Sequence, residues 1–138
     1  MAEAETVSAG TRENTMRFMA MIKATKDYEA GKPPNPELMA AMGRLSEEMQ
    51  KLGKFEMGGG LLPSAQGHRL SMSGGKVSVT DGPFTETKEV VGGFAILHHD
   101  SHEEAIAGAR RVMQIHADCG VTELEIEIRP MFEVPPCA

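Results

Sequence analysis

A chain of 138 residues fits one domain, long enough to bury about two thirds of the surface its unfolded form exposes. Its net charge of −6, without any cluster of Lys and Arg, argues against a nucleic-acid partner, whose binding rests on neutralising phosphates. No apolar run approaches the roughly 20 residues of a membrane-spanning helix, which argues against a membrane partner. Cys119 and Cys137 lack the close spacing of a metal knuckle or redox pair, and they fit a reduced cytoplasmic setting. With no Trp, five Phe and eleven Met, the core is expected to rely on flexible thioethers.

Residues 1–15 are acidic and polar and lack the pattern of a secretory signal, so they read as a flexible leader. The domain proper is expected over residues 16–133, with 134–138 as a tail. Met16–Lys23 alternates as a strand: Phe18, Ala20 and Ile22 fall on one face, Arg17, Met19, Met21 and Lys23 on the other. Apolar residues on both faces predict that both are covered, one by helices and the other by a second subunit. Residues 26–34 read as a polar connection, in which Tyr28 packs the loop. Asn35-Pro36 supplies an N-cap and first-turn proline. Leu38, Met42, Leu45, Met49 and Leu52 then step along one face of a helix that Gly53 closes. A second strand is predicted over residues 54–57, broken by Gly58-Gly59-Gly60 at a bulge or a close approach to a ligand.

Residues 68–73 and 76–80 alternate around Ser73-Gly74-Gly75, a hairpin. It leads into Asp81-Gly82-Pro83-Phe84-Thr85-Glu86-Thr87-Lys88-Glu89, the densest run of conformationally special and ionisable residues. An Asp ahead of a turn normally takes the amide two residues on, but Pro83 has none to give. Asp81 must therefore meet the Phe84 or Thr85 amide, Lys88, water or a ligand. One reading is a rigid loop tied to its own backbone; the other presents Asp81, Glu86 and Lys88 to a cavity. Residues 87–98 are predicted as a long strand with a bulge at Gly92-Gly93.

Ser101-His102-Glu103-Glu104 is a capping box. It opens a helix whose buried stripe is expected to hold Ala105, Ile106, Ala109, Val112, Met113 and His116, with Gly120 at its end. The last strand, residues 122–132, turns Leu124, Ile126 and Ile128 inward and Glu123, Glu125, Glu127 and Arg129 outward, with Pro130 marking an edge or end. The order βαβ, hairpin, βαβ defines an α+β class: a ferredoxin-like βαββαβ chain with an added β-hairpin. First and last strands then neighbour each other, so Arg17 and Lys23 are expected to face Glu125 and Glu127. Met19 and Met21 on that face suit a partly apolar cavity, where burial would create acids and bases.

Residues 81–89 closely resemble the DGPFAETKE signature of the DGPF branch of the YCII-related proteins, with Thr85 in place of alanine. The resemblance spans about residues 16–133. It takes in Met16-Arg17-Phe18-Met19 as the opening strand, Ser73-Gly74-Gly75-Lys76 as the hairpin and Glu125-Ile126-Glu127-Ile128-Arg129-Pro130 as the last strand. It implies a chain that pairs into a dimeric α+β barrel, with no settled activity for this branch. Related members include small-molecule enzymes with a His/Asp pair, whose positions do not carry over residue by residue. Genes of the branch often accompany extracytoplasmic-function sigma factors.

His98-His99-Asp100 with His102 resembles a ligand cluster, but it spans a strand end and a helix start, and no metal site or cofactor is predicted. The leading expectation is a cytoplasmic homodimer, a small-molecule enzyme or enzyme-like binder. Asp81 would serve as base or orienter, His68 as its partner and Glu127 as a second acid/base. Lys88, Arg129, Glu86 and Arg17 would bind a small anionic or polar molecule. The alternative is a non-catalytic sensing or regulatory module linked to sigma-factor transcription. A third reading has the charges secure the dimer.

Overall fold

The computed structural model describes residues 15–86 and 89–133. Alternation in β1 (Met16–Lys23) sets the architecture: Phe18 and Ala20 are buried on the side that receives the helices. The chain continues through a one-turn α1 (Lys26–Glu29), α2 (Pro36–Lys51), β2 (Phe55–Gly60) and a 3-10 turn at Ser64–Gln66. There follow β3 (His68–Ser73), β4 (Lys76–Asp81), β5 (Val91–His99), α3 (His102–Asp118) and β6 (Ile126–Pro130). Four strands form one antiparallel sheet in the order β2-β5-β1-β6, while β3 and β4 form a separate two-stranded sheet. Leaving out the hairpin, this is the ferredoxin-like order, with β1 at the centre and β6 at an edge. No helix among the described residues is long and apolar enough to cross a membrane.

Local chemistry accounts for the element ends. The Asn35 side chain accepts the Glu37 amide at 2.8 Å ahead of Pro36, and the Ser101 hydroxyl accepts the Glu104 amide at 3.1 Å. Gly74 and Gly75 both adopt positive φ (56° and 80°), as a two-residue hairpin turn requires. Pairing skips Gly92 between Ile22–Gly93 and Lys23–Val91, so the expected bulge lies there. Several expectations need correction. β2 runs on through Gly58-Gly59-Gly60, and a side chain at Gly58 would come within 2.7 Å of the Phe94 carbonyl. That close approach is to a neighbouring strand, not a ligand. β6 is shorter than expected, Ile126–Pro130, and Tyr28 sits in a helical turn rather than a loop. Ile106 and Leu52 are about half exposed, Ile106 beside the buried Ala105 and Leu52 at the helix C-cap. Of the expected leader only Thr15 is among the described residues, and the tail, Cys137 and Thr87-Lys88 lie outside them.

The core is small: Phe18, Ala20, Leu45 and Ala105, with His99 sealed among them, while Ile96 is buried on the other face of the sheet. The rings of His99 and His102 meet Phe18 edge-on at centroid distances of 6.0 and 5.3 Å. The His99 Nδ1–H donates to Glu104 Oε2 at 3.1 Å, and Lys54 Nζ donates to the same oxygen. The other oxygen, Oε1, accepts the Asp100 amide at 3.1 Å. His116 Nδ1 donates to the Val112 carbonyl at 2.9 Å, the satisfied helix histidine that was expected. Across the surface, Arg111 forms a two-pronged pair with Glu48, both contacts at 2.7 Å, joining α3 to α2. That guanidinium draws the Glu48 carboxyl below its usual range.

Burial works against the charged form of Glu104, and the bonds from Lys54, His99 and the Asp100 amide more than offset it, leaving its pKa at about 2. A shift of that size corresponds to roughly 3 kcal/mol, which partial exposure reduces to about 2 kcal/mol. The folded value lies below the unfolded value of 4.5, so this stability is present above pH 4.5 and is lost as pH falls towards 2. Urea denaturation at pH 7 should find Glu104→Gln less stable by about 2 kcal/mol. The difference from wild type should narrow between pH 4.5 and 2; a difference constant with pH would mean that the carboxylate is not the source.

Candidate functional site

The run from Asp81 to Glu86 is fixed by partners far away in the chain. Glu29, at the end of α1, accepts the Ser64 amide through Oε1 at 2.7 Å and the Ser64 hydroxyl through Oε2. The same hydroxyl oxygen accepts the Phe84 amide at 3.0 Å. Ser64 is buried, so each of these groups would cost free energy if left unpaired. The Gly82 amide donates to the Gly67 carbonyl at 3.0 Å, and a side chain at Gly82 would overlap the Ser64 carbonyl. The Gly82–Pro83 peptide bond is cis.

The hairpin base is tied in the same way. Asp81 and His68 are opposite residues of β4 and β3, and His68 Nδ1 donates to Asp81 Oδ1 at 2.9 Å. On the other face of the ribbon, Arg69 lies 4.0 Å from the Phe84 ring centre and donates to Glu86 Oε1 at 3.2 Å. Arg69 holds the Glu86 carboxyl below its usual range. Gly82, Phe84 and Glu86 thus lock the hairpin to the 3-10 turn and α1, and Asp81 pairs across its open end.

The second constellation lies on the face of the four-stranded sheet away from α2 and α3. Opposed residues in antiparallel strands point the same way. Arg17 therefore stands beside His98, Met19 beside Ile96 and Arg129, and Met21 beside Phe94 and Glu127. At one end, Arg17 grips Glu56 through Nε and Nη2 at 3.2 and 3.3 Å, and His98 Nε2 donates to Glu56 Oε1 at 2.9 Å. The Arg17 bonds, against a burial cost and with help from His98, draw the Glu56 carboxyl below its usual range. His98 is only 5% exposed, and its Nδ1 has no hydrogen-bond partner among the described residues. Donating from Nε2 leaves the lone pair of the neutral ring on Nδ1. Towards the other end, Lys23 Nζ and Arg129 Nη1 flank Glu127 at 3.8 and 3.7 Å. Arg17 and Lys23 are about 20 Å apart along β1, with methionines between them.

Asp81 and His68 come together, as do Glu127 and Arg129, and Lys23 meets Glu127 as expected. Arg17 does not face Glu125 or Glu127; it reaches Glu56 on β2. Glu86 is committed to Arg69, and Lys88 lies outside the described residues. Among the described residues, no hydrogen bond or ion pair joins the Asp81–His68 pair to Glu127 or Arg129 within a protomer. His98 and His99 point to opposite faces, one to Glu56 and one to Glu104. The described residues hold no group of three His, Cys, Asp or Glu arranged for a metal ion. Glu56 was missed because its partners lie on other strands: Phe55 turns to the helix side opposite Leu97, so Glu56 turns to the other face, beside His98. The only sequence signal was an acidic residue in a short strand beside the glycine run.

The fold is thus a ferredoxin-like α+β domain with a hairpin between its second and third sheet strands. The YCII-related domain matches residues 16–131, and the chain belongs to that family. It is also similar to an uncharacterized protein of Rhizobium meliloti (strain 1021), 33% identical over 98 residues, which cover 71% of this chain and 73% of that protein.

The lock makes a graded prediction. Gly82→Ala drives a methyl group into the Ser64 carbonyl and should cost roughly 3 kcal/mol or more. Ser64→Ala removes hydroxyl bonds to Glu29 and Phe84 and should cost about 1–2 kcal/mol. Chemical denaturation should preserve that order; an unperturbed Gly82→Ala protein would rule out the close approach.

Proposed function

We propose that the protein acts as a cytoplasmic homodimer in which two open sheet faces close into a dimeric α+β barrel of the DGPF type, with a small-molecule site between them. The observation that carries this reading is the helix-free face itself. Met19, Met21 and Phe94, each partly exposed, form its apolar middle around the buried Ile96, and charged groups gather towards both ends. An apolar cleft with a few convergent polar groups is the usual form of a small-molecule site. In this reading Arg129, together with Lys88, anchors a small anionic or polar ligand. Glu127 and Asp81 serve as acid and base, with His68 orienting Asp81 and Arg17 holding Glu56 ionised beside His98.

A second reading, a ligand-sensing or regulatory module working beside a sigma factor, is favoured by one observation. Asp81 and His68 are mostly exposed in the protomer, without the dry surroundings that acid–base catalysis uses. Thermal-shift screening of small carboxylates and phosphates, followed by turnover assays of each hit, separates the two. A ligand should raise Tm by several degrees in wild type and by much less in Arg129→Ala. Turnover that falls at least tenfold in Asp81→Asn supports an enzyme; stabilisation without turnover supports the sensor. Were no anionic or polar compound to shift Tm, the small-molecule site would be abandoned.

A further inference from the structure

We infer that the β3–β4 hairpin is an arm that seats on the helix-free sheet face of a second copy of this chain, bringing His68 and Asp81 to that copy's site. This deepens the dimer reading above and rests on it. All twelve residues of the two strands are exposed, and β3 and β4 contact chiefly each other. A lone two-stranded ribbon is marginal in water, so this one is left without the support such a ribbon needs.

Its two faces differ. Leu70 opposes Val79 and Met72 opposes Val77, and the same face continues to His68 opposite Asp81. Arg69 with Thr80, Ser71 with Ser78 and Ser73 with Lys76 make up the other. The four apolar side chains are 57–71% exposed. A chain that turns an apolar face to water, and locks the ribbon's base through Ser64, Phe84 and Arg69 so that it stays presented, has built an interaction surface.

The occupant follows from area and from what else the chain leaves uncovered. The hairpin face offers on the order of 400 Å² of apolar surface, about half of the roughly 800 Å² per partner that a stable interface buries. The sheet face with the partly exposed Met19, Met21 and Phe94 is a second apolar surface, which no helix among the described residues covers. Among the described residues neither surface packs on the other inside one protomer, whereas a two-fold axis lets each copy give one arm and receive one. Both surfaces are then satisfied at once, and together they reach the size a lasting dimer needs. An unrelated partner on the hairpin would leave the sheet face as partly exposed as it is in the lone protomer. Seating the arm also desolvates the His68–Asp81 pair against a face that already carries Glu127, Lys23 and the Glu56–His98 pair, so the site is completed only between subunits.

Sedimentation velocity of the full chain tests this, with wild type, Val79→Asp on the arm and Met21→Arg on the sheet, each checked for fold by circular dichroism. Val79 is exposed, and an arginine at position 21 would lie beside Glu127, so both variants should fold. The expected result is a wild-type dimer that dissociates at least tenfold more readily in both variants. If Val79→Asp dimerises like wild type while Met21→Arg does not, the arm is wrong and the sheet-closed dimer stands. If only Val79→Asp is monomeric, the hairpin docks elsewhere and the seating on the sheet is wrong. A monomeric wild type removes both readings. Should either variant misfold, mixing Val79→Cys and Met21→Cys chains, both in a Cys119→Ser, Cys137→Ser background, decides. A disulfide-linked dimer specific to the mixture supports the arm; its absence under oxidation overturns it.

Discussion

Ser64 is where the two parts of the molecule are joined. Its hydroxyl passes a bond to Glu29 and receives one from Phe84, while its carbonyl leaves no room for a side chain at Gly82. One buried serine therefore connects the turn after β1 to the loop after the hairpin. Without it, the four-stranded sheet would still have its helices, but the ribbon would have no defined direction. The signature loop is best understood as the counterpart of this residue. Gly82 provides clearance, Phe84 provides an amide and a ring, and Glu86 finishes the hold on Arg69.

The end of β5 shows a second economy. His98 and His99 are adjacent, so a strand must point them to opposite sides. Each meets a carboxylate that a cation also holds: Glu56 with Arg17 outside, Glu104 with Lys54 inside. The inner set caps α3 and secures the core. Among the described residues each ring keeps one nitrogen without a hydrogen-bond partner, Nδ1 of His98 and Nε2 of His99. Similar chemistry thus serves the core on one side of the sheet and stands on the helix-free face on the other.

Much of the fold was legible because its signals are short-range. The caps at Asn35 and Ser101, the glycine turn and the β1 alternation each depend on residues only a few places apart. The glycine pair itself marked the bulge at Gly92, and the pairing of Lys23 with Glu127 follows once the strand order is known. What was not legible depended on long-range packing. Glu56 meets Arg17 and His98 only once β2 is placed beside β5, and nothing near position 56 announces it. The glycines at 58–60 suggested a ligand, whereas Gly58 accommodates the backbone of Phe94. The pairing of Asp81 with His68, in contrast, was legible, because the two close the base of one hairpin.

Pro130 closes β6 with a consequence for how such a chain associates. The Met131 amide is the one that turns inward to Arg17, so the proline occupies a position whose N–H would point away from the sheet. Only Ile126 and Ile128 remain as outward donors along this margin, too few to template another strand. Lateral growth of the sheet is discouraged on that side, so encounters between copies are steered from open-ended stacking towards closed, countable assemblies.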